Sequence, residues 1–347
     1  MAFSISNFII RLRSWEYWPL PVVYIPIYIY WFFLSIRARS FFYFTASNPG
    51  IEYGGMLGES KIKIMDILPD DVIPKTIFIP STNTANEIQH LINTNGLAYP
   101  VILKPDIGER GWQVEIINSK EELDQYIDLN RVNLLLQEYV NEPVELGVFY
   151  YRLPNEEHGR VTSIVEKKLL AVTGDGKSTV IELLRMSPRG KLQVNRLSET
   201  QPELNGRVPG LNEQIVVVPI GNHRLGTAFL DSNKYINQKI HNVFDVLSKN
   251  IEGFFFGRFD IRCSSIEQLE KGKMKIMELN GAGAEPAHIY NPGSSLWSAY
   301  KVLLFHWKIM FQISVQNHKL GIPYLGFRAG INAIQDLRKY NKNKQPV

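Results

Sequence analysis

The sequence predicts an α+β fold, and three observations carry that prediction. From Tyr99 the chain reads strand, turn, strand (YPVILKP, DIGERG, WQVEII), followed by a helix over 119–127 whose Ser119 and Glu122 have capping-box spacing. A second set of strand-like runs follows: NLLLQEYV ending at Val140, ELGVFYYR, and VTSIVEKKLLAV. A third pair, FFFGRFDIRC (254–263) and KMKIMELNG (273–281), lies between helices expected over 232–250 and 295–319. Earlier in the chain, Lys61–Ile67 reads as a short helix. The Gly-, Pro- and Asn-rich stretch 46–60 reads as loop and domain boundary. The expected organisation is therefore a hydrophobic N-terminal segment with its linker (1–58), a large α+β domain (59–330) containing a smaller subdomain at about 95–140, and a polar tail (331–347).

The 347 residues, 45% hydrophobic and 21% charged, suffice for one large or two modest cores. The net charge of +4 is spread along the chain without a basic stripe, which sets nucleic acid aside as a partner. A single cysteine, Cys263, excludes a disulfide framework and fits a reducing compartment. Composition says nothing about oligomeric state.

Trp18 to Ile36 carries no charge, with Arg11 and Arg13 before it and Arg37 and Arg39 after it. Pro19, Pro21 and Pro26 interrupt the run. The proline-free part, 27–36, would rise only about 15 Å as a helix, about half a bilayer core. Its Tyr and Trp residues suit the headgroup level. Three readings stand: a segment lying on or half in a membrane, a true span, and an element buried in the protein. The first is the expectation, with membrane lipid as a partner at the cytoplasmic face.

The stretch AVTGDGKST (171–179) resembles the end of a phosphate-binding P-loop. Ala171, however, stands where the first glycine of G-x-x-x-x-G-K-[ST] belongs. The expectation is an Asp-Gly hairpin loop.

More chemistry lies in the third strand pair. With period two, Arg258, Asp260 and Arg262 share one face of the first strand, and Glu278 and Asn280 share one face of the second. If the strands pair, Arg258, Asp260, Glu278 and Asn280 gather on one face. Such an oxygen cluster beside an arginine suits Mg²⁺ and a transferring phosphoryl group. A solvated sheet face is the competing reading.

Taken together, these motifs resemble the ATP-grasp superfamily, in particular carboxylate–amine ligases such as D-alanine–D-alanine ligase and cyanophycin synthetase, over roughly residues 59–320. The resemblance implies two α+β subdomains gripping ATP. It implies that Lys61 (in ESK) and Lys104 (in YPVILKP) reach the phosphates, beneath a lid over 107–111 whose Gly108 and Gly111 permit movement. By the same resemblance Glu138, Tyr139 and Val140 contact adenine and Glu145 the ribose. Arg258 and Lys104 act on the transferred phosphoryl group, and Asp260, Glu278 and Asn280 hold Mg²⁺, with Mn²⁺ as the alternative ion. TGDGKST is similar to a segment of the cyanophycin-synthetase-like branch that follows a basic residue, here Lys167 or Lys168, directed at the site. The turn GAGAEPAHIY departs from the Pro-Gly turn of D-alanine ligases, so D-alanine is not the implied substrate. Candidate substrate contacts are His223, Arg224, Glu285 and His288. The implied activity joins a carboxylate to an amine through an acyl phosphate. The alternative is an ATP-binding regulatory or membrane-tethering module without turnover.

Overall fold

The computed structural model describes residues 5–108 and 111–342. Eleven strands are described: β1 (Thr76–Ile79), β2 (Val101–Pro105), β3 (Glu115–Ile117), β4 (Leu134–Glu138), β5 (Val144–Tyr151), β6 (Arg160–Lys168), β7 (Leu170–Thr173), β8 (Gln214–Val218), β9 (Ala228–Asp231), β10 (Phe256–Cys263) and β11 (Lys275–Asn280). They form three antiparallel sheets.

The first sheet has the order β1-β4-β2-β3. Its apolar face packs on the helices Ala85–Thr94 and Lys120–Leu129 through Ile79, Leu103, Leu136, Ile88 and Leu123. Ser119 caps the second helix by accepting from the Glu122 N–H (3.3 Å). The Glu122 carboxylate turns instead to the Asn118 N–H (2.7 Å), so the expected capping box is closed on one side only.

The second sheet has the order β11-β10-β5-β6-β9. One face packs on the helix Gln238–Lys249, through Phe244, Phe254 and Phe259, and on the helix Lys61–Met65. The other carries Phe149, Tyr151 and Phe256 against the long helix Leu296–Lys319 and the N-terminal helix Ile25–Ala38. A third, two-stranded sheet of β7 and β8 has a small core of its own with the helices Val180–Arg185 and Val194–Thr200. The expected strand 161–172 is thus two strands, β6 and β7, in different sheets.

The GDGKST stretch is not a hairpin loop. β7 pairs with β8, a distant strand, and the turn leads directly into the helix Val180–Arg185. The stretch 46–60 is a loop, yet it is no free linker. Buried Asn48 accepts from the N–H groups of Phe255 and Phe256 (both 2.9 Å) and donates to the carbonyls of Gly54 and Phe256. The region expected as a polar tail is helical over Phe327–Lys342 and buries Gly330 and Ala333; residues 343–347 lie outside the described residues.

The N-terminal run folds as Leu20–Val23 and Ile25–Ala38, with Pro26 in the first turn, where its missing N–H costs nothing. Val23, Ile27 and Leu34 are buried. Ile25, Ile29, Phe32, Phe33 and Ile36 point outward. Among the described residues no helix is long and apolar enough to cross a membrane.

Candidate functional site: a cationic cleft between two sheets

Strand register assembles the site. Across β10 and β11, Arg258 stands opposite Asn280 and Asp260 opposite Glu278. Across β10 and β5, Asp260 stands opposite Gly147 and Arg262 opposite Glu145. One face of the second sheet therefore carries Arg258, Asp260, Glu278 and Asn280 in adjacent rows. Gly147 is required there, because a Cβ would stand 2.9 Å from Val165 and 3.2 Å from both Arg258 and Asp260.

Within this array Arg258 forks onto Asp260 through Nε (2.8 Å) and Nη2 (3.0 Å), and its Nη1 reaches the Glu285 carbonyl (3.2 Å). Asn280 lies 3.4 Å from Asp260 Oδ2. Lys167 Nζ sits 3.5 Å from Asp260 and 3.2 Å from Glu145. Arg262 also holds Glu145 (2.8 Å) and donates to the Val140 carbonyl (2.8 Å). Although burial alone would raise it, the Asp260 carboxyl is held below its usual range by Arg258 and Lys167. Such a buried carboxylate stays ionised because cations surround it.

The first sheet contributes from above. Lys104 on β2 is buried and donates to Gln137 Oε1 (3.0 Å) and to the Met277 carbonyl (3.1 Å). Burial lowers its pKa to about 8. Lys61, at the start of its helix, donates to the Gly108 carbonyl and lies 3.7 Å from Glu278. The cleft thus sets Lys61, Lys104, Lys167, Arg258 and Arg262 against Glu145, Asp260 and Glu278.

The other candidate residues are placed as follows. Gly108 and Gly111 flank residues 109 and 110, the part of the expected lid outside the described residues. Exposed Glu138 ends β4 and accepts from the Lys75 N–H (3.1 Å). Tyr139 lines a cleft with Pro100, Ile116, Pro219 and Ile220. Val140 is buried. Glu145, expected at the ribose, is held in ion pairs with Arg262 and Lys167. His223 is not on an exposed loop. It bonds Glu16 (2.9 Å) and lies among the rings of Tyr17, Phe229 and Tyr290. Glu285 accepts from Tyr24 and from Tyr290 (2.9 Å). His288 bonds Ser163 Oγ (2.7 Å), and burial lowers its pKa. Arg224 is exposed, outside this cluster.

Sequence reasoning missed Trp15, Glu16 and Tyr24. Their partners lie more than 170 residues away. The one available signal is that Glu16 is the only acid before Glu52. Of the two lysines proposed to face the site, β6 alternation turns Lys167 inward and leaves Lys168 exposed.

Two antiparallel sheets face each other here, with lysines on one side and a carboxylate–arginine array on the other, the arrangement implied by the ATP-grasp resemblance. Residues 58–148 match the family described as RimK-like ATP-grasp domain. Similar solved structures include a bifunctional glutathione synthetase from Pasteurella multocida (15% identity, 70% of this chain and 35% of that one, TM-score 0.37). A D-alanine–D-alanine ligase from Bacillus anthracis is 12% identical over 75% of this chain and 67% of that one, with TM-score 0.40. An N5-carboxyaminoimidazole synthase from Aspergillus clavatus is 13% identical over 74% of this chain and 54% of that one, also with TM-score 0.40. The chain spans about a third of the length of the Pasteurella protein. No curated protein matches the chain.

Proposed function

We propose that the protein is an ATP-dependent ligase that joins a carboxylate to an amine. The observation that carries this reading is the row of Arg258, Asp260, Glu278 and Asn280 across β10 and β11, facing Lys61 and Lys104. Lys61, Lys104, Lys167 and Arg258 supply fixed positive charge for the ATP phosphates, which costs no reorganisation during transfer. Tyr139 and Val140 lie in the connection from β4 to β5, which joins the first two sheets, and beside Tyr139 the apolar wall of Ile116 and Ile220 suits a planar base. Gly108 and Gly111 bracket the segment that would cover the phosphates and exclude water.

Asp260, Glu278 and Asn280 offer the hard oxygens Mg²⁺ takes, Asp260 being held by Arg258 and Lys167 in this structure; among the described residues no group of three His, Cys, Asp or Glu side chains is placed to hold a metal ion by itself. A magnesium ion shared with phosphate oxygens needs only such a partial protein set. When bound, it neutralises phosphate charge during transfer. In the reaction a carboxylate oxygen of one substrate attacks the γ-phosphorus, and the bond to the leaving ADP breaks. The amine nitrogen of the other substrate then attacks the acyl carbon, inorganic phosphate leaves, and the amine proton passes to solvent. The test is ADP release across a panel of carboxylate–amine pairs, with product masses measured. Release that requires both partners and Mg²⁺ supports the ligase. ATP binding without release, across the whole panel, supports the regulatory alternative.

A specific observation also favours attachment to a membrane surface. The helix Ile25–Ala38 exposes Ile25, Tyr28, Ile29, Phe32, Phe33 and Ile36 along one side. Phe41 extends this stripe, 6.1 Å from Phe32 and 5.9 Å from Phe327. Exposed Arg11, Arg13, Arg37 and Arg39 flank it. Apolar area framed by arginines suits an anionic bilayer entered to headgroup depth. Flotation with phosphatidylglycerol vesicles should carry the wild type, and Ile29→Glu with Phe33→Glu should abolish it at unchanged melting temperature. Self-association of the wild type without vesicle binding would overturn the assignment.

A further inference from the structure

The N-terminal segment packs against the turn that follows β11, beside the carboxylate–arginine array. Trp15 donates from Nε1 to the Ser294 carbonyl (2.7 Å) and lies 5.5 Å from the Tyr290 ring. Glu16 is neutralised where it stands, by Arg189 (2.8 Å) and His223 (2.9 Å). Tyr24 reaches across to Glu285.

Glu285 is different from the other carboxylates of the cleft. Its two oxygens accept from the hydroxyls of Tyr24 and Tyr290, and among the described residues no cationic side chain pairs with it. Its backbone carbonyl is fixed by Arg258, so the carboxylate stands one residue's reach from the phosphoryl-handling arginine. Burial pushes this carboxyl up to about 7, as expected for a carboxylate lacking a counter-ion. The rings of Trp15 and His223 pack around that of Tyr290. A partly buried carboxylate beside aromatic rings attracts a cation both by charge and by ring quadrupole.

Resting on the ligase reading, we propose that Glu285, held by Tyr24 and Tyr290, is the ammonium subsite of the cleft, and that the amine substrate is a primary amine that docks in its protonated form and passes one proton to the Glu285 carboxylate before its nitrogen attacks. The N-terminal segment is then part of the substrate site as well as an anchor.

The test uses the full chain and n-butylammonium chloride, with 1-butanol as the uncharged control, read by saturation-transfer NMR with and without Mg²⁺ and a non-hydrolysable ATP analogue. Saturable binding of butylammonium, about tenfold tighter than butanol, is expected for a charge-assisted contact. Glu285→Gln should abolish that preference, and Tyr24→Phe should weaken it several-fold. Melting temperature and ATP-analogue affinity, measured on each variant, identify any that misfold; Glu285→Asp, which retains the charge, should recover part of the preference. Equal binding of the two probes by the wild type, or an undiminished preference in well-folded Glu285→Gln, would overturn the subsite. Failure of the ATP analogue to bind, with the ammonium preference intact, would instead overturn the ligase reading and leave the subsite standing.

Discussion

Two lysines beside glycine-containing loops look alike in the sequence, and they end in opposite electrostatic states. In the first, the lysine of VILKP is buried, and among the described residues the hydrogen bonds of Lys104 Nζ go to neutral oxygens, Gln137 Oε1 and the Met277 carbonyl. In the second, GDGKST, Asp175 accepts from the N–H of Lys177 (2.8 Å), the N–H of Ser178 (2.7 Å) and the Ser178 hydroxyl (2.7 Å). These bonds hold the Asp175 carboxyl down at about 2. The loop has occupied with its own carboxylate the place a phosphate takes in a true P-loop. A phosphate site is therefore recognised by donors left without an anion, and glycine spacing alone does not reveal that.

The largest expected effect lies in the array that the first loop faces. Asp260→Asn or Glu278→Gln should lower Mg²⁺-dependent turnover at least about a hundredfold, the scale of removing a charged group from a phosphoryl-transfer site. Melting temperature should change little for Glu278→Gln, whose side chain is one-third exposed. Wild-type turnover in both variants would remove the metal role from this face.

Next comes the direct contrast between the lysines. Lys104→Ala should weaken ATP binding by about 1–3 kcal/mol, the value of a lost charge-assisted hydrogen bond. Lys177→Ala should change it by less than about twofold, as for a solvated surface lysine. Calorimetry giving the reverse order would restore the P-loop reading of GDGKST.

The same contrast has a pH signature. Burial brings Lys104 from an ordinary 10.5 down to about 8, so its charge is present below pH 8 and lost above it. ATP affinity should be flat to about pH 7 and then fall, by up to about tenfold per pH unit, as the neutral amine takes over. Lys104→Arg should flatten this fall, since a guanidinium stays charged. An unchanged profile in Lys104→Arg would assign the titration to another group.

Why one loop was legible and the other was not follows from the range of the interactions. Strand alternation is local, so FFFGRFDIRC and KMKIMELNG already placed Asp260 and Glu278 on matching faces, and pairing of β10 with β11 did the rest. Ser119 is a helix cap within a few residues of its partner and was equally readable. The contacts that the N-terminal segment makes to Glu285 and His223 were not. Tyr24 and Glu285 are 261 positions apart, and Glu16 and His223 are 207 apart. No periodicity connects them; only the packing of the N-terminal helices on the helix Leu296–Lys319 and its preceding turn does. The hydrophobic run 18–36 was read by composition, which records that it is apolar. Composition does not record that Ile27 and Leu34 face the protein while Ile29 and Phe33 face out.

The smallest expected effect, and the sharpest test of the comparison, is Asp175→Ala. Removing the carboxylate frees the N–H groups of Lys177 and Ser178 beside a lysine, the parts from which a phosphate nest is made. Even so, the loop should not begin to bind ATP. Gly174 is closed in by Gly210, whose carbonyl lies 2.1 Å from where a Cβ would stand, and Ala171 is fixed in the β7–β8 ladder. The backbone therefore has no room to wrap a phosphate chain. The helix Val180–Arg185 should keep its start, because Thr179 and Glu182 still close a capping box. Loss of the Asp175 bonds should then appear as faster hydrogen exchange at Lys177 and Ser178, with ATP affinity and turnover unchanged within about twofold, as for an exposed turn remote from the site. A clear gain in ATP affinity would show that Asp175 had been masking a second phosphate site, and the distinction between the two loops would be one of occupancy alone.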